Sequence, residues 1–278
     1  MRDRKSKVIL MIVEIIAIIL SVVLYGVPFY FVIINSLKSQ GEAALMQISF
    51  PSKLHFTNYI EVIKADNYAV LRGFYNSTLL AVFSVAVLIL VCSMLGFFIQ
   101  RRGDKFARAI NSLVLTGLMI PPAIVPTIWV LQSLGLFKTL PGMVLVEVAL
   151  RLPFATLLYR SAVATIPREL DNAAIIDGCG KFRLFFSVIF PLLKSTTATV
   201  IILSSVSVFN DFVNPLFFFP GKQNLTVQTT LYQFTGMYYN QWHYLFADVV
   251  LISIPPLILF IFFNKRIISG MVAGAIKG

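Results

Sequence analysis

Glu147 and Arg151 stand four residues apart in an apolar run, a spacing that puts an acid and a base on one face of a helix where they can pair. A second polar group, Ser207, Asn210, Asp211 and Asn214, follows at helical spacing in another apolar stretch. Ionisable side chains inside a bilayer are costly and face a bundle interior or a cavity. Asn and Asp together supply donors and acceptors, the chemistry that would hold a hydroxylated solute. Two roles are open for each group. The Glu147–Arg151 pair either fixes one helix against its neighbour or walls a translocation pathway. The 207–214 stripe either lines that pathway or hydrogen-bonds to another helix. Asp248 lies near the outer end of its run, where it reads as an interfacial charge, and Glu14, about one turn inside the basic N-terminus, is placed to reach an Arg or Lys at the inner surface.

Other chemistry is hard to build from this chain. His55 and His243 belong to no metal-ligand spacing, and Cys92 and Cys179 are too few and too separated for a zinc or iron–sulfur site. They read as free thiols. No nucleophile–base pair is legible, and the chain lacks a Gly-x-x-x-x-Gly-Lys-Ser/Thr phosphate loop. No metal or cofactor is expected on it, and it is not expected to be an enzyme. An ATP-driven step would need a partner subunit to hold ATP and Mg.

A third constellation is polar and suited to docking. Residues 164–195 interrupt the apolar runs. Pro167 suits the first turn of a helix, and Glu169 and Asp171 place negative charge at its positive end. Asn172, Ala173, Ala174 and Ile176 continue it, and Gly178 with Gly180 stops it after Asp177. A second short helix runs from Lys181 to Phe190 and ends at Pro191. Two short helices at a sharp turn make a surface for another protein.

The elements that must carry these groups are membrane spans. The chain is 58% hydrophobic and 13% charged, with a mean hydropathy of +0.86, far from a soluble globular composition. A bilayer core of about 30 Å needs about 20 apolar residues in a helix. Six stretches qualify, near 8–34, 71–99, 108–134, 142–163, 196–219 and 244–263. The predicted fold is all-α, a polytopic membrane helical bundle forming a single domain over 1–278. The first run is too long for a signal-peptide core and has no small-x-small cleavage site, so it reads as a retained helix.

The net charge of +11 does not indicate nucleic acid. Its basic residues concentrate at Arg2–Lys7, Arg101–Arg108, Arg160–Lys194 and Lys265–Lys277, while the intervening loops carry only Lys38, Lys53, Lys64, Lys138 and Lys222. That asymmetry is the positive-inside bias and predicts both termini in the cytoplasm. Tyr232, Phe234, Tyr238, Tyr239 and Trp242 fall in an outer loop, where aromatic rings form an interfacial belt or anchor a docked protein. Pro121-Pro122 and Pro126 in the third span, with Pro255-Pro256 in the sixth, predict kinks, either hinges or static shaping.

The polar loop also matches a motif. Asn172-Ala173-Ala174, three residues, Gly178, nine residues and Val188-Ile189-Phe190-Pro191 resemble the Glu-Ala-Ala loop of ABC-importer membrane subunits. Asn35-Ser36-Leu37-Lys38, Asn210-Asp211-Phe212 and the terminal Ala273–Gly278 resemble the carbohydrate branch, in particular the second of its two permeases. The likeness runs nearly the whole length. It implies a heterodimer with a second homologous permease, two ATP-binding subunits and an extracytoplasmic sugar-binding protein. It places ATPase coupling in the 164–195 loop and the pathway at the Asn210–Asp211 segment. The family's glutamate is Asn172 here, which leaves Glu169, Asp171 and Asp177 as substitutes. A self-sufficient ion- or proton-coupled carrier is the alternative, and it leaves the docking loop unexplained.

Overall fold

The computed structural model describes residues 2–236 and 240–275, and no strand occurs among them. In chain order the helices are α1 (2–36, widened to a π-turn at Val22–Gly26), α2 (Gln40–Ala44), α3 (Thr57–Arg101) and α4 (Lys105–Thr116). There follow α5 (Ile124–Ser133), α6 (Leu140–Ala164), α7 (Arg168–Ile176), α8 (Lys181–Leu192) and α9 (Lys194–Phe209). The last are α10 (Val213–Phe218), a 3-10 turn (Gln228–Phe234) and α11 (Trp242–Ala275). The chain divides into two compact units, Met1–Val70 with Thr230–Ile254, and Leu71–Thr229 with Pro255–Gly278.

Among the described residues four helices are long and apolar enough to cross a bilayer, in α1, α3, α6 and α11. The other two predicted spans are interrupted, each for a reason written in its prolines. The third, expected over 108–134, is not one helix. α4 ends at Thr116, residues 117–123 are irregular, and α5 resumes at Ile124. Pro121 and Pro122 offer no backbone N–H and push their predecessors out of helical geometry. The fifth, expected over 196–219, is not one helix either: α9 stops at Phe209 and α10 restarts at Val213. Ahead of it, α8 and α9 meet at 76° after Pro191. In a continuous helix the Pro215 ring would clash with the carbonyl of Asp211. Pro255-Pro256, by contrast, are carried inside α11.

The first unit contains a buried polar hub at the Asn35–Lys38 segment. Lys38 is 1% exposed, and its Nζ donates to Asn35 Oδ1 at 3.1 Å and to the Gln47 carbonyl at 2.6 Å. Asn58 Nδ2 donates to the carbonyls of Ser36 and Lys38, at 2.8 and 2.9 Å. A buried ammonium needs such partners. In the same unit Asp248 is completely buried and accepts from Thr230 Oγ1 at 2.9 Å. It is therefore not the interfacial charge expected of a residue near a span's end. Phe234 is buried too, edge-on to Tyr244, and so is not a belt ring, whereas Tyr232 is exposed. Tyr238, Tyr239 and Ile276-Lys277-Gly278 lie outside the described residues.

The second unit holds the main core, built from α3, α6, α8, α9 and α10. Close approach depends on small residues. A Cβ on Gly96 of α3 would sit 2.8 Å from the backbone N of Arg160 in α6, and one on Gly117 would sit 2.8 Å from Pro153 Cγ. Arg160 then ties α6 to α4, its Nη1 donating to Asn111 Oδ1 at 2.7 Å. Tyr159, fully buried, reaches Thr197 of α9 at 3.1 Å. The Tyr159–Thr197 contact sets α6, which carries Glu147 and Arg151, against α9, which leads into the break that carries Asp211.

Candidate functional site

The two polar groups read separately from the sequence form one cluster. Arg151, on α6, ion-pairs through Nη1 with Glu147 Oε2 one turn earlier. The same nitrogen donates to the Glu147 carbonyl at 3.2 Å. Across to α9, Nε and Nη2 donate to Ser207 Oγ at 3.3 and 3.0 Å. Nη2 also stands 3.6 Å from Asp211 Oδ2, in the break between α9 and α10. The side chains of Glu147, Arg151 and Asp211 are 0%, 16% and 12% exposed. Of the cluster, Arg151 and Ser207 line a cavity of about 360 Å³, with Phe154, Leu158, Leu203 and Ser204 among its other walls.

The helix break gives Asp211 a second task. Its Oδ1 accepts the backbone N–H of Asn214 at 3.0 Å and its Oδ2 accepts Asn214 Nδ2 at 2.5 Å, which caps the start of α10. Asn214 therefore serves Asp211 and is not a separate member of a helical stripe. Asn210 is the residue that ends α9; it is exposed and accepts from Gln228 Nε2 at 3.3 Å. The continuous stripe expected at 207, 210, 211 and 214 is thus divided by the break. Pro215, four residues after Asp211, was the sequence signal for it.

The polar loop folds as its residues dictate. α7 opens after Pro167 with Glu169 and Asp171 in its first turn. At its end Gly178 has φ +76. The Gly178 N–H bonds to the Ile175 carbonyl at 3.0 Å and the Cys179 N–H to the Ala174 carbonyl at 2.9 Å, the paired contacts of a Schellman stop. Ala174 is buried, while Glu169, Asn172, Ala173, Asp177 and Pro191 are exposed. Asp171 is held inside the chain. Arg101 Nε, at the end of α3, lies 2.7 Å from its Oδ2, and Arg101 Nη2 donates to Asp171 Oδ1 at 3.2 Å and to the Ile166 carbonyl at 3.0 Å. Exposed Ile175, Ile176 and Phe182 (59%, 85% and 72%) give the loop an apolar outer surface with no partner among the described residues. The Cys179 thiol turns back toward the core.

Residues 92–272 match the model of the binding-protein-dependent transport system inner membrane component. The chain belongs to that family. It is accordingly a multi-pass protein of the cytoplasmic membrane. Among curated relatives, it is 31% identical to the melibiose/raffinose/stachyose import permease protein MelC of Bacillus subtilis (strain 168), over 100% of this chain and 99% of MelC. It is 30% identical to the diacetylchitobiose uptake system permease protein NgcG of Streptomyces coelicolor, over 94% of this chain and 87% of NgcG. The fold matches a chain of a bacterial ABC transporter involved in the import of the acidic polysaccharide alginate, with a TM-score of 0.81 at 18% identity over 94% of this chain and 97% of that one.

Within this inner membrane component, sequence reasoning missed Arg101. It was counted only as part of the positive-inside bias, because nothing local marks a residue whose acid partner lies 70 positions away. Glu14 is exposed on α1.

Proposed function

We propose that this chain is one of two membrane-spanning subunits of an ATP-driven carbohydrate importer. The observation that carries the reading is the loop at 164–195, a well-formed helix–turn–helix whose apolar outer residues have no partner among the described residues, on a protein of the inner membrane component family. Sugar is the favoured cargo because relatives aligned over nearly the full length are named for sugar import. In this reading the chain crosses the membrane six times as one transmembrane domain, with both termini in the cytoplasm. The interrupted third and fifth regions count as spans. The exposed stretch of α1 meets lipid or the second permease.

ATP and Mg would be held by two separate ATPase subunits, whose closure moves the α7–α8 loop. Glu169, Asn172, Ala173 and Asp177 are the exposed groups available for that contact. Asp171 serves instead to transmit the motion, through Arg101, to α3. The second permease completes the pathway, and an extracytoplasmic binding protein delivers the solute to it. Glu147, Arg151, Ser207 and Asp211, at the junction of α6 with the α9–α10 break, form this chain's share of the wall.

Reconstitution tests the assignment. In proteoliposomes the chain alone should move no sugar, with or without a proton gradient. With a second permease, two ATPase copies and the binding protein, sugar should accumulate only when ATP is enclosed. Cysteines placed at Glu169 or Asp177 should crosslink to the ATPase; native Cys179 is a poorer probe because it faces the core. Gradient-driven uptake by the lone chain would overturn the reading in favour of an independent carrier.

A further inference from the structure

We infer that the Glu147–Arg151–Asp211 cluster makes this subunit's pathway selective for uncharged sugars, with Asp211 as the residue that excludes anionic ones. The inference rests on the placement of the cluster in the pathway.

An arginine beside a membrane cavity would by itself favour acidic cargo, since the guanidinium fork matches a carboxylate bidentately. Here the fork is already spent. Nη1 is taken by the carboxylate and carbonyl of Glu147 and both Nε and Nη2 by Ser207, while the Asp211 carboxylate ion-pairs with Nη2 at 3.6 Å. Two carboxylates face one guanidinium, so the cluster offers no net positive charge. An arriving uronate would have to displace Asp211. That carboxylate is anchored from its other side by the backbone N–H and side-chain amide of Asn214, at 3.0 and 2.5 Å. Displacement would also uncap α10. A neutral sugar needs no such exchange: its hydroxyls can bond to the exposed Ser207 hydroxyl and to Asn210, which both donate and accept.

The chemistry also assigns unequal roles to the two acids. Glu147 is fully buried one turn before Arg151 on the same helix and fixes the guanidinium on α6. Asp211 comes from a different element and is 12% exposed. It covers the face of Arg151 turned toward the helix break. Removing the Asp211 charge therefore uncovers a guanidinium edge, whereas removing the Glu147 charge frees a nitrogen inside the protein.

The test is direct ligand binding to the purified permease–ATPase complex without the binding protein, so that selection upstream plays no part. Saturation-transfer NMR would compare a neutral glucose pentasaccharide with a uronate pentasaccharide. The wild-type complex should give transfer to the neutral sugar and little to the uronate. Asp211→Asn keeps the shape of the side chain and removes its charge. It should raise uronate binding relative to neutral sugar by about tenfold, the worth of one charge-assisted hydrogen bond, and Glu147→Gln should raise it less. Gel-filtration profiles check that each variant complex is assembled. If Asp211→Asn does not assemble, Asp211→Ser supplies the second variant: it too removes the charge and should raise uronate binding relative to neutral sugar, and an unchanged ratio there would equally overturn the inference. Equal transfer to both sugars in the wild type, or an unchanged ratio in Asp211→Asn, would overturn the inference alone. Transfer to neither sugar would remove the pathway placement and the inference with it.

Discussion

Arg101 and Asp171, 70 residues apart in sequence, join the end of α3 to α7, the first helix of the polar loop, with Arg101 Nε 2.7 Å from Asp171 Oδ2. Both side chains are 13% exposed, so solvent screens the pair less than it would a surface bridge. Arg101 also binds the Ile166 carbonyl just before the loop. A push on α7 would thereby reach the part of α3 that follows its non-helical break at Ala65–Tyr68.

Breaking that joint should uncouple the subunit without unfolding it. Arg101→Gln and Asp171→Asn should each lower ATP-dependent uptake several-fold while leaving basal ATP hydrolysis by the complex in place. The charge-reversed double variant Arg101→Asp/Asp171→Arg should recover part of the loss. A double variant no better than the singles would show that the pair does not transmit.

At Gly178 the expected cost is conformational. A Cβ there would meet no atom within 4 Å, yet φ is +76. A β-branched residue in this left-handed geometry should cost about 1–2 kcal/mol, which would open the Schellman turn. Gly178→Val should therefore reduce stimulation of the ATPase, and Gly178→Asn, which tolerates left-handed geometry, should be milder. Faster amide exchange at Cys179 in the valine variant would be the structural readout.

The α3–α6 contact predicts a stability defect away from any functional group. Gly96→Ala would place a methyl 2.8 Å from the Arg160 backbone N and from Tyr159 Cβ. Forcing these helices apart should cost about 1–3 kcal/mol and lower the melting temperature of the detergent-solubilised protein. An unchanged melting temperature would mean that the helices part without strain.

In the charged cluster, losing the arginine should be worst. Arg151→Gln leaves two carboxylates facing one another without their cation, a loss of several kcal/mol when a buried pair is broken. Adding Glu147→Gln should recover part of it. Thermal melting of the two singles and the double completes the cycle, and strictly additive shifts would mean that the charges do not interact.

The acid response of α2 follows from Glu42. Hydrogen bonds from Ser52, then from Ser39, lower its carboxyl from 4.5 to about 2. A depressed carboxylate contributes stability above its unfolded value and loses it as pH falls through the folded one. The Ser39–Glu42 capping box should therefore be intact at pH 5 and give way between about 4.5 and 2. Glu42→Gln should abolish this dependence. Amide exchange across residues 39–45 as a function of pH would show it.

Much of the chain was legible because its signals are local. Apolar run length located α1, α3, α6 and α11, since a bilayer-spanning helix must satisfy its backbone within itself. Pro167, Glu169 and Gly178 marked the start and stop of α7, because caps and left-handed turns depend on the residues at the turn itself. Glu147 and Arg151 could be paired from their spacing alone. What the tertiary structure decided is everything that joins distant elements. It brought Asp211 and Ser207 to Arg151, turned Asp171 inward to Arg101 and buried Asp248 against Thr230. Helical periodicity says which residues share a face but not which helix that face meets. A buried charge takes its partner from wherever packing brings one within reach, and in this chain that packing is set by glycines such as Gly96, whose missing side chain lets α6 approach α3.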